Sequence, residues 1–319
     1  MIVFTSFENG DDKLGIKKHN AAIKYIGVFL LTASVLLTNF YAVRAEDTGT
    51  VGTSAQAAAV IEQNSGRVLY NKNADQELPM ASTTKIMTAA VALKYGNLSD
   101  VIEVSATAAG VEGSSMYLEC GEKITLENLL YGLMLLSGND AAVAIAEHIG
   151  GGVDGFVELM NKTASELGLS HTHFDNPNGL PSDTHYTTAL ELAKITRYAM
   201  SMPEFVQIVS TKSKTIPWEG KGYDRSMTNH NKLLGSLEGC IGVKTGFTKA
   251  AGRCLVSAVN RNDMTLICVT LNDPNDWADH ASLQNSMFQK YSQNVLTSTE
   301  MIIDKISVAG GMLGYAGVS

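Results

Sequence analysis

The sequence has few of the residues that usually bind metals. Its four cysteines form no C-x-x-C pair, and its seven scattered histidines form no H-E-x-x-H motif. Zinc sites commonly use such spacings, so no metal site is predicted. Three of the cysteines, Cys240, Cys254 and Cys268, fall in strand-like runs. This favours buried free thiols over disulfides.

Positive charge is also scarce. The 319 residues include 24 lysines and arginines against 32 aspartates and glutamates, a formal net charge of -8. Because nucleic-acid binding draws most of its affinity from a basic surface, no nucleic-acid partner is predicted. The hydrophobic content of 45% is that of an ordinary globular protein of one or two domains.

The first 45 residues differ from the rest. Four lysines between residues 13 and 24 precede the apolar stretch YIGVFLLTASVLLTNFYAVRA, which ends in small residues. The pattern predicts a signal peptide, residues 1–45, cleaved after Ala45. The alternative is an uncleaved membrane anchor, although the apolar run is short for a span of about 20 residues. In both cases we expect the protein outside the cytoplasm, in the cell envelope or secreted.

The remaining chain has the layout of an α+β domain. A polar linker is predicted at 46–56 and a main domain at 57–295. Short strands open this domain, apolar helices fill its middle, and strand-like runs with a last amphipathic helix at 276–295 close it. We therefore expect one antiparallel sheet shared by early and late strands, flanked by helices, with a mostly helical subdomain inserted.

A serine and a lysine stand one helical turn apart in PMASTTKIMTAA. Residues i and i+3 share a helix face, so Lys85 points the same way as Ser82. A serine hydroxyl needs an adjacent base to become a nucleophile. A lysine surrounded by apolar residues has a lowered pKa and can be that base. Alone, S-x-x-K occurs by chance about once in a chain of this length.

Two further motifs follow in order. Ser137-Gly138-Asn139 interrupts two apolar helices, where buried polar groups need partners. Lys244-Thr245-Gly246 lies on the predicted strand CIGVKTGF. There Gly246 would let a ligand backbone approach the strand, and Lys244 would supply a fixed positive charge. S-x-x-K, S-x-N and K-T-G in this order are typical of penicillin-binding proteins and serine β-lactamases.

The sequence resembles one branch in particular, the serine-type D-alanyl-D-alanine carboxypeptidases, which are low-molecular-mass penicillin-binding proteins. The resemblance extends over roughly residues 55 to 290. Four segments contribute beyond the three motifs: NSGRVLYNKNADQELPMASTTKIMTA, LLYGLMLLSGNDAAVAIAEH, FDNPNGLPSDTHYTTALELA and GVKTGFTKAAGRCLVSA. It implies the β-lactamase/DD-peptidase fold, with the active site between the sheet and the helical subdomain.

The resemblance also implies a reaction. Ser82 would attack the penultimate D-alanine carbonyl of a peptidoglycan stem peptide, forming an acyl-enzyme that water then hydrolyses. Lys85 would accept the proton and Ser137 would relay it to the leaving amine. The backbone N–H groups of Ser82 and Phe247 would form the oxyanion hole. β-Lactam antibiotics would acylate the same serine, and no cofactor is implied.

Substrate binding is implied for the rest of the motif residues. Asn139 would hold Lys85 or the substrate amide, and Lys244 and Thr245 would hold the carboxylate end of the substrate. Gly246 would also belong to the substrate-binding strand. Two residues outside the motifs have open roles. His185 would line the cleft or support it, and Arg253 would pair with a carboxylate of the substrate or of the protein.

The chain departs from the family pattern at its end. Residues 296–319 resemble the opening of a further β-rich domain, or a tail, without an amphipathic anchor. Membrane attachment is thus expected only through an uncleaved N-terminal segment or a missing C-terminal anchor.

Three alternative functions share these motifs. A β-lactamase of class A would need a deacylating glutamate, and no E-x-x-L-N segment follows the S-x-N triplet. A DD-endopeptidase or transpeptidase differs only in the shape of its site. A non-catalytic penicillin-binding wall protein would be expected to have lost at least one motif residue.

Overall fold

The computed structural model describes residues 51–218 and 220–292 and two further strands, Asp304–Ser307 and Tyr315–Val318. The predicted signal peptide at 1–45 lies outside these ranges, as does most of the predicted C-terminal segment. No helix in the described parts of the chain is long and apolar enough to cross a membrane.

A five-stranded antiparallel sheet forms the centre of the domain, with strand order β2-β1-β9-β8-β7. Its strands are β1 (Ala57–Glu62), β2 (Val68–Lys72), β7 (Cys240–Thr248), β8 (Gly252–Arg261) and β9 (Met264–Leu271). The first hairpin pairs with the last strand, since Ala57 lies opposite Leu271. This confirms that early and late strands share one sheet. Every residue of β1 and β9 is buried, so both faces of the sheet centre are covered.

Nine helices stand among the described residues. They are α1 (Lys85–Tyr95), α2 (Ala106–Ala109), α3 (Leu126–Leu135), α4 (Asn139–Gly150), α5 (Val153–Glu166), α6 (Ala189–Ala199), α7 (Pro203–Ser210), α8 (Leu233–Ser236) and α9 (Asp276–Lys290). Helices α1 to α7 lie between β2 and β7 in the chain, which is the predicted helical insertion. Eight consecutive residues of α1, from Lys85 to Ala92, are buried, so this helix is at the centre of the core.

Four short strands pair outside the central sheet, and a fifth and sixth pair near the C-terminus. Strands β3 (Val101–Glu103) and β4 (Lys123–Thr125) form one ribbon, and β5 (Ser213–Ile216) and β6 (Arg225–Thr228) form another. The described C-terminal strands β10 (Asp304–Ser307) and β11 (Tyr315–Val318) pair with each other.

Helix α7 was not predicted from the sequence. Pro203 indicated the end of the preceding helix, but in the structure it occupies the first turn of a new one. Proline is favoured there because its missing N–H has no partner in the first turn anyway. Helix α9 ends at Lys290, five residues before its predicted end.

The last residues of the predicted linker at 46–56 contact the domain. Asp279 of α9 accepts hydrogen bonds from the Thr53 hydroxyl at 2.7 Å and from the Ser54 backbone N–H at 2.5 Å. Ala55 is buried. A polar, small-residue composition predicts a linker, but here the same hydroxyls donate to a carboxylate in the first turn of α9.

The four cysteines are free thiols, as predicted, but they are not uniformly buried. Cys254 and Cys268 are buried in the sheet, Cys240 is partly buried and Cys120 is exposed. Burial raises the pKa of the Cys254 thiol to about 12. A thiol that stays protonated is a poor nucleophile, so this cysteine is a packing residue.

Two carboxylates meet where the N-terminal segment joins α9. The Ser54 hydroxyl lies 2.6 Å from Asp273 Oδ1 and 2.8 Å from Asp279 Oδ2, and Asp273 is fully buried. Burial and the nearby negative charge of Asp279 raise the pKa of Asp273. A raised folded-state pKa means that the favourable contribution of Asp273 is present at acid pH and is lost as the pH rises through that value.

We therefore expect Asp273→Asn to stabilise the protein at neutral pH. The amide keeps the shape and the acceptor oxygen while removing the repulsion. The free energy of unfolding should rise at pH 7, and the gain should shrink as the pH falls through the range in which Asp273 takes up its proton. Urea unfolding at several pH values measures it, and a gain that does not depend on pH would contradict the assignment.

Candidate active site

Ser82 lies on a short 3-10 turn, Ala81–Thr84, that leads directly into α1. The turn is held by its own side chains, because the Thr83 hydroxyl donates to the Met80 carbonyl at 2.6 Å. Ala81 has a positive φ of 49°, which is uncommon for a residue with a side chain. Backbone strain of this kind is typical of functional sites.

Lys85 is fully buried and contacts three oxygen atoms. Its Nζ lies 2.7 Å from Asn139 Oδ1, 2.6 Å from the Asn178 carbonyl oxygen and 3.1 Å from Ser82 Oγ. The amide oxygen and the carbonyl can only accept hydrogen bonds, so each takes one N–H of the amine. In the neutral amine the remaining position is a lone pair, and it is left for the Ser82 hydroxyl. With this arrangement, a neutral Lys85 would be able to accept the serine proton.

The electrostatics favour that neutral form. Burial is the main cause that holds the pKa of Lys85 well below its usual range, and the nearby positive charge of Lys244 lowers it further. The carboxylate of Asp140 acts in the opposite direction. A deprotonated lysine can serve as a general base near neutral pH, whereas an ordinary surface lysine cannot.

The Ser-Gly-Asn triplet forms the connection between α3 and α4. Ser137 has a positive φ of 61°, and its buried hydroxyl has no hydrogen-bond partner among the described residues. Asn139 begins α4 and uses its amide nitrogen to donate to the Glu112 carbonyl at 2.7 Å. Of the two roles considered for Asn139, the structure therefore places it against Lys85. Its amide nitrogen is already engaged with the protein.

Lys244 is almost completely buried on β7, and its Nζ donates to the Thr245 carbonyl at 2.9 Å. Burial lowers its pKa to about 7. The positive charge expected at Lys244 stays a prediction. A bound anion would stabilise the protonated form of Lys244.

Gly246 lies where β7 passes close to the turn that carries Ser82. A side chain at this position would lie 3.1 Å from the backbone nitrogens of Ser82 and Thr83. The glycine thus allows β7 to approach this turn, and it also lines the same cleft as Ser82. The close approach also brings the backbone of Phe247, the next residue, near the Ser82 turn.

A cleft of about 360 Å³ connects these elements. It is lined by Ser82, Ser114, Ser137, His230, Lys232, Thr245, Gly246, Phe247, Arg253, Asp276 and Trp277. Five of the eight motif residues predicted from the sequence face this cleft. The other three, Lys85, Asn139 and Lys244, are buried polar residues. Asn139 contacts the amine of Lys85, and Lys244 lowers its pKa. Among the described residues, no group of three or more His, Cys, Asp or Glu side chains could hold a metal.

Two contributors were missed by the sequence analysis. The carbonyl of Asn178 contacts Lys85, and a backbone group leaves no trace in a residue pattern. Asp140 is buried and accepts from the backbone N–H groups of Met116 and Leu118 and from the Ser115 hydroxyl. It fixes the segment after Glu112, the partner of Asn139. An acidic residue directly after Ser-Gly-Asn, at the start of an apolar helix, was the available signal.

We expect Asn139→Asp to impair acylation by keeping Lys85 protonated. A carboxylate at the Asn139 position raises the lysine pKa, so less of Lys85 is neutral at pH 7 and the acylation rate should fall by about 10-fold or more. Since deprotonation restores the base, the loss should diminish as the pH rises. The rate of acylation by benzylpenicillin between pH 6 and 10 measures this, and a loss that is constant across the range would be inconsistent with it.

A serine paired with a buried neutral lysine, set between an antiparallel sheet and a helical subdomain, defines an active-site serine enzyme of the penicillin-binding class. The family model described as "D-alanyl-D-alanine carboxypeptidase" matches residues 43–275. The chain is 34% identical to D-alanyl-D-alanine carboxypeptidase DacF of Bacillus subtilis over 294 residues, which cover 90% of this chain and 75% of that one.

Streptomyces strain K15 supplies both a related sequence and a related structure. Its D-alanyl-D-alanine carboxypeptidase is 39% identical over 234 residues, 68% of this chain and 80% of that one. The crystal structure of the Streptomyces K15 DD-transpeptidase has a TM-score of 0.71 and 36% identity, and covers 75% of this chain and 99% of that one. The chain belongs to the D-alanyl-D-alanine carboxypeptidase family, and it is a serine-type carboxypeptidase of cell-wall metabolism.

Proposed function

We propose that Ser82 removes the terminal D-alanine from peptidoglycan stem peptides through an acyl-enzyme. The observation that carries this proposal is the position of Lys85 Nζ, 3.1 Å from Ser82 Oγ with two N–H groups engaged elsewhere. Lys85 takes the hydroxyl proton while Ser82 Oγ bonds to the penultimate D-alanine carbonyl. The backbone N–H groups of Ser82 and Phe247 stabilise the oxyanion that forms.

Ser137 completes the acylation step. Its buried hydroxyl faces the same cleft and has no other partner among the described residues. It passes the proton held by Lys85 to the departing amine, the C–N bond breaks and D-alanine leaves. Water then attacks the ester and its proton returns to Ser82 Oγ through Lys85, which regenerates the enzyme.

Arg253 is the group that we assign to the terminal carboxylate of the substrate, together with Thr245 and Lys244. Its side chain is 42% exposed, lines the cleft and is held from behind by Asp276, with Nη2 at 2.8 Å from Oδ1. An arginine stays protonated at all relevant pH values. Lys244 has a pKa lowered to about 7, so it is a weaker source of permanent charge. Arg253 thus supplies the permanent cation that the cleft needs for an anionic substrate.

The setting of the reaction is the cell envelope. A stem peptide ending in D-Ala-D-Ala is the substrate, and β-lactams are covalent inhibitors at Ser82. The basic and apolar N-terminal segment supports export, with cleavage after Ala45 or retention as an anchor. The catalytic domain extends over residues 57–295, preceded by a short linker. Residues 296–319 begin a further β-rich segment or tail.

A β-lactamase would need a carboxylate that promotes deacylation, and the residues that line this cleft provide no free one. Asp276 is the one acidic residue among those that line it, and it is paired with Arg253. Acyl transfer to an amine is chemically closer, because the amine would simply replace water, and the Streptomyces K15 structure carries the name of a transpeptidase. The product of the reaction, free acid or peptide amide, separates these two outcomes.

We expect Arg253→Ala to lower kcat/KM for release of D-alanine from a pentapeptide by about 10- to 100-fold, the usual effect of losing a hydrogen bond to a charged group. For the same peptide with a C-terminal amide, kcat/KM should be the same in Arg253→Ala as in the unaltered enzyme. Arg261→Ala, on the same strand but bonded to Glu238 and Asn285, is the matched control. Equal losses on the acid and the amide would refute the assignment of Arg253. Absence of D-alanine release by the unaltered enzyme would refute the function itself.

A further inference from the structure

His185 is a buried histidine that contacts the turn carrying the nucleophile. It lies in the loop between α5 and α6, is 3% exposed and packs edge-on against Phe174, with ring centroids 5.8 Å apart. Its Nε2 lies 2.7 Å from the hydroxyl of Thr84, the residue directly before Lys85. It does not line the cleft with Ser82, so it contacts no reacting atom.

The hydrogen bonds around the ring determine which nitrogen carries the proton. The backbone N–H of Asp175 donates to Nδ1 at 3.0 Å, so Nδ1 must hold the lone pair. Nε2 then carries the proton and donates it to Thr84 Oγ1. The Thr84 hydroxyl in turn donates to the Ala81 carbonyl at 2.8 Å. The result is one directed chain of hydrogen bonds, from the Asp175 backbone through His185 and Thr84 to Ala81.

Both ends of this chain adjoin catalytic groups. At one end, Ala81 is the residue with positive φ immediately before Ser82. At the other end, Asp175 begins the segment whose Asn178 carbonyl accepts from Lys85. This segment also touches the turn directly, since Gly179 leaves no space for a side chain against the Ala81 carbonyl. The chain of hydrogen bonds therefore fixes the distance between the loop and the turn.

We propose that neutral His185, with its proton on Nε2, is a positioning residue that holds the Asn178 carbonyl and the Ala81 backbone in register, so that Lys85 and Ser82 keep their reactive geometry. The inference rests on the proposed acylation of Ser82 and extends it to a residue outside the three motifs. A serine and a base that are displaced by about 1 Å can lose about 100-fold in rate.

The surroundings of His185 maintain the neutral ring. Asp175 and His173, both in the same loop, and Lys85 on α1 are the titratable groups that face it. Burial outweighs the attraction of Asp175 and lowers the pKa of His185 to about 4. A second proton could enter only at Nδ1, where it would displace the Asp175 N–H. The chain of hydrogen bonds is thus intact at neutral pH.

Acylation by benzylpenicillin, measured with the full chain, tests the proposal. His185→Ala should lower the first-order acylation constant at pH 7 by about 100-fold with little change in the preceding binding constant. His185→Gln should restore most of it, because the amide can accept from Asp175 and donate to Thr84 at once. Thr84→Val should resemble His185→Ala, and Thr84→Ser should resemble the unaltered protein.

The matched control is a second buried histidine. His280 is fully buried and bonds to the hydroxyls of Ser257 and Thr270 beneath the sheet. His280→Ala should lower the unfolding temperature without lowering the acylation constant of the folded protein. Nitrogen NMR of His185 should also show the proton on Nε2 at pH 7.

The outcomes are separable. If folded His185→Ala and Thr84→Val acylate at the normal rate, or if His185→Gln is as slow as His185→Ala, the positioning role is wrong. A proton on Nδ1 would also overturn it. If the unaltered protein itself forms no acyl-enzyme, the failure lies in the proposed function and not in His185. If His185→Ala does not fold, the Thr84 pair and the glutamine variant still decide the question.

Discussion

Ser82→Ala should abolish both the release of D-alanine and acylation by β-lactams. Removing the nucleophile of a serine hydrolase leaves only the binding and oxyanion contributions, so the rate should fall by at least about 10⁴-fold. Continuous assay of D-alanine release from a D-Ala-D-Ala peptide measures it. The protein should keep its fold, because Ser82 is only partly buried on the turn that precedes α1. Residual activity within a factor of about ten of normal would mean that another residue is the nucleophile.

A nearby serine provides the matched control. Ser114 lines the same cleft but belongs to none of the three motifs. Ser114→Ala should retain activity far above that of Ser82→Ala. This result would show that removing a hydroxyl from the cleft is not by itself enough to abolish activity. Thermal unfolding of both variants shows whether the fold is preserved.

Lys85→Met should produce the second-largest loss. The methionine fills a similar volume in the buried site but has no lone pair to accept the Ser82 proton. General base catalysis contributes about 10²- to 10⁴-fold, and the acylation rate should fall by that factor. The measurement is the second-order rate constant with benzylpenicillin, compared at several pH values.

Two further variants narrow the interpretation of that loss. Lys85→Arg should not restore activity, because a guanidinium stays protonated and cannot be the base. Lys94→Met changes a lysine on the same helix that forms a surface ion pair with Glu166, and it should leave the rate unchanged. Normal acylation by the Lys85→Met protein would disprove the role of Lys85 as a base.

The pH dependence of the unaltered enzyme follows from the same buried amine. Burial and Lys244 lower the pKa of Lys85, so the neutral, active form exists at lower pH than for a free lysine. Activity should therefore rise with pH as Lys85 loses its proton. The Asn139→Asp substitution should move this rise to higher pH, because it adds a negative charge at the Asn139 position.

Much of this architecture could be predicted because it depends on local patterns. The apolar runs around Ser137-Gly138-Asn139 predicted two helices, and the structure has α3 and α4 there. The late strand-like runs predicted strands of the antiparallel sheet, and the structure has β7, β8 and β9 there. Three short motifs in a fixed order predicted the family, because their chance coincidence is small even though each alone is weak.

The parts that could not be predicted depend on three-dimensional contacts. The Asn178 carbonyl that holds Lys85 is a backbone atom, so no residue pattern identifies it. The pKa of Lys244 is lowered because the fold buries it, and a motif on a strand does not show how deeply its lysine is buried. The contact between Gly246 and the Ser82 turn depends on the packing of β7 against that turn. In the sequence, His185 does not differ from the other loop histidines. Its hydrogen bond to Thr84 distinguishes it, and that bond is seen only in the structure.

The most direct test is intact-protein mass spectrometry of the full chain after incubation with benzylpenicillin, followed by peptide mapping. We expect a gain of one penicillin per chain, located on the peptide that contains Ser82. The rate of this gain should rise with pH and should be much lower in Lys85→Met. An adduct on a different residue, or no adduct in a folded sample, would contradict the claim that neutral Lys85 activates Ser82.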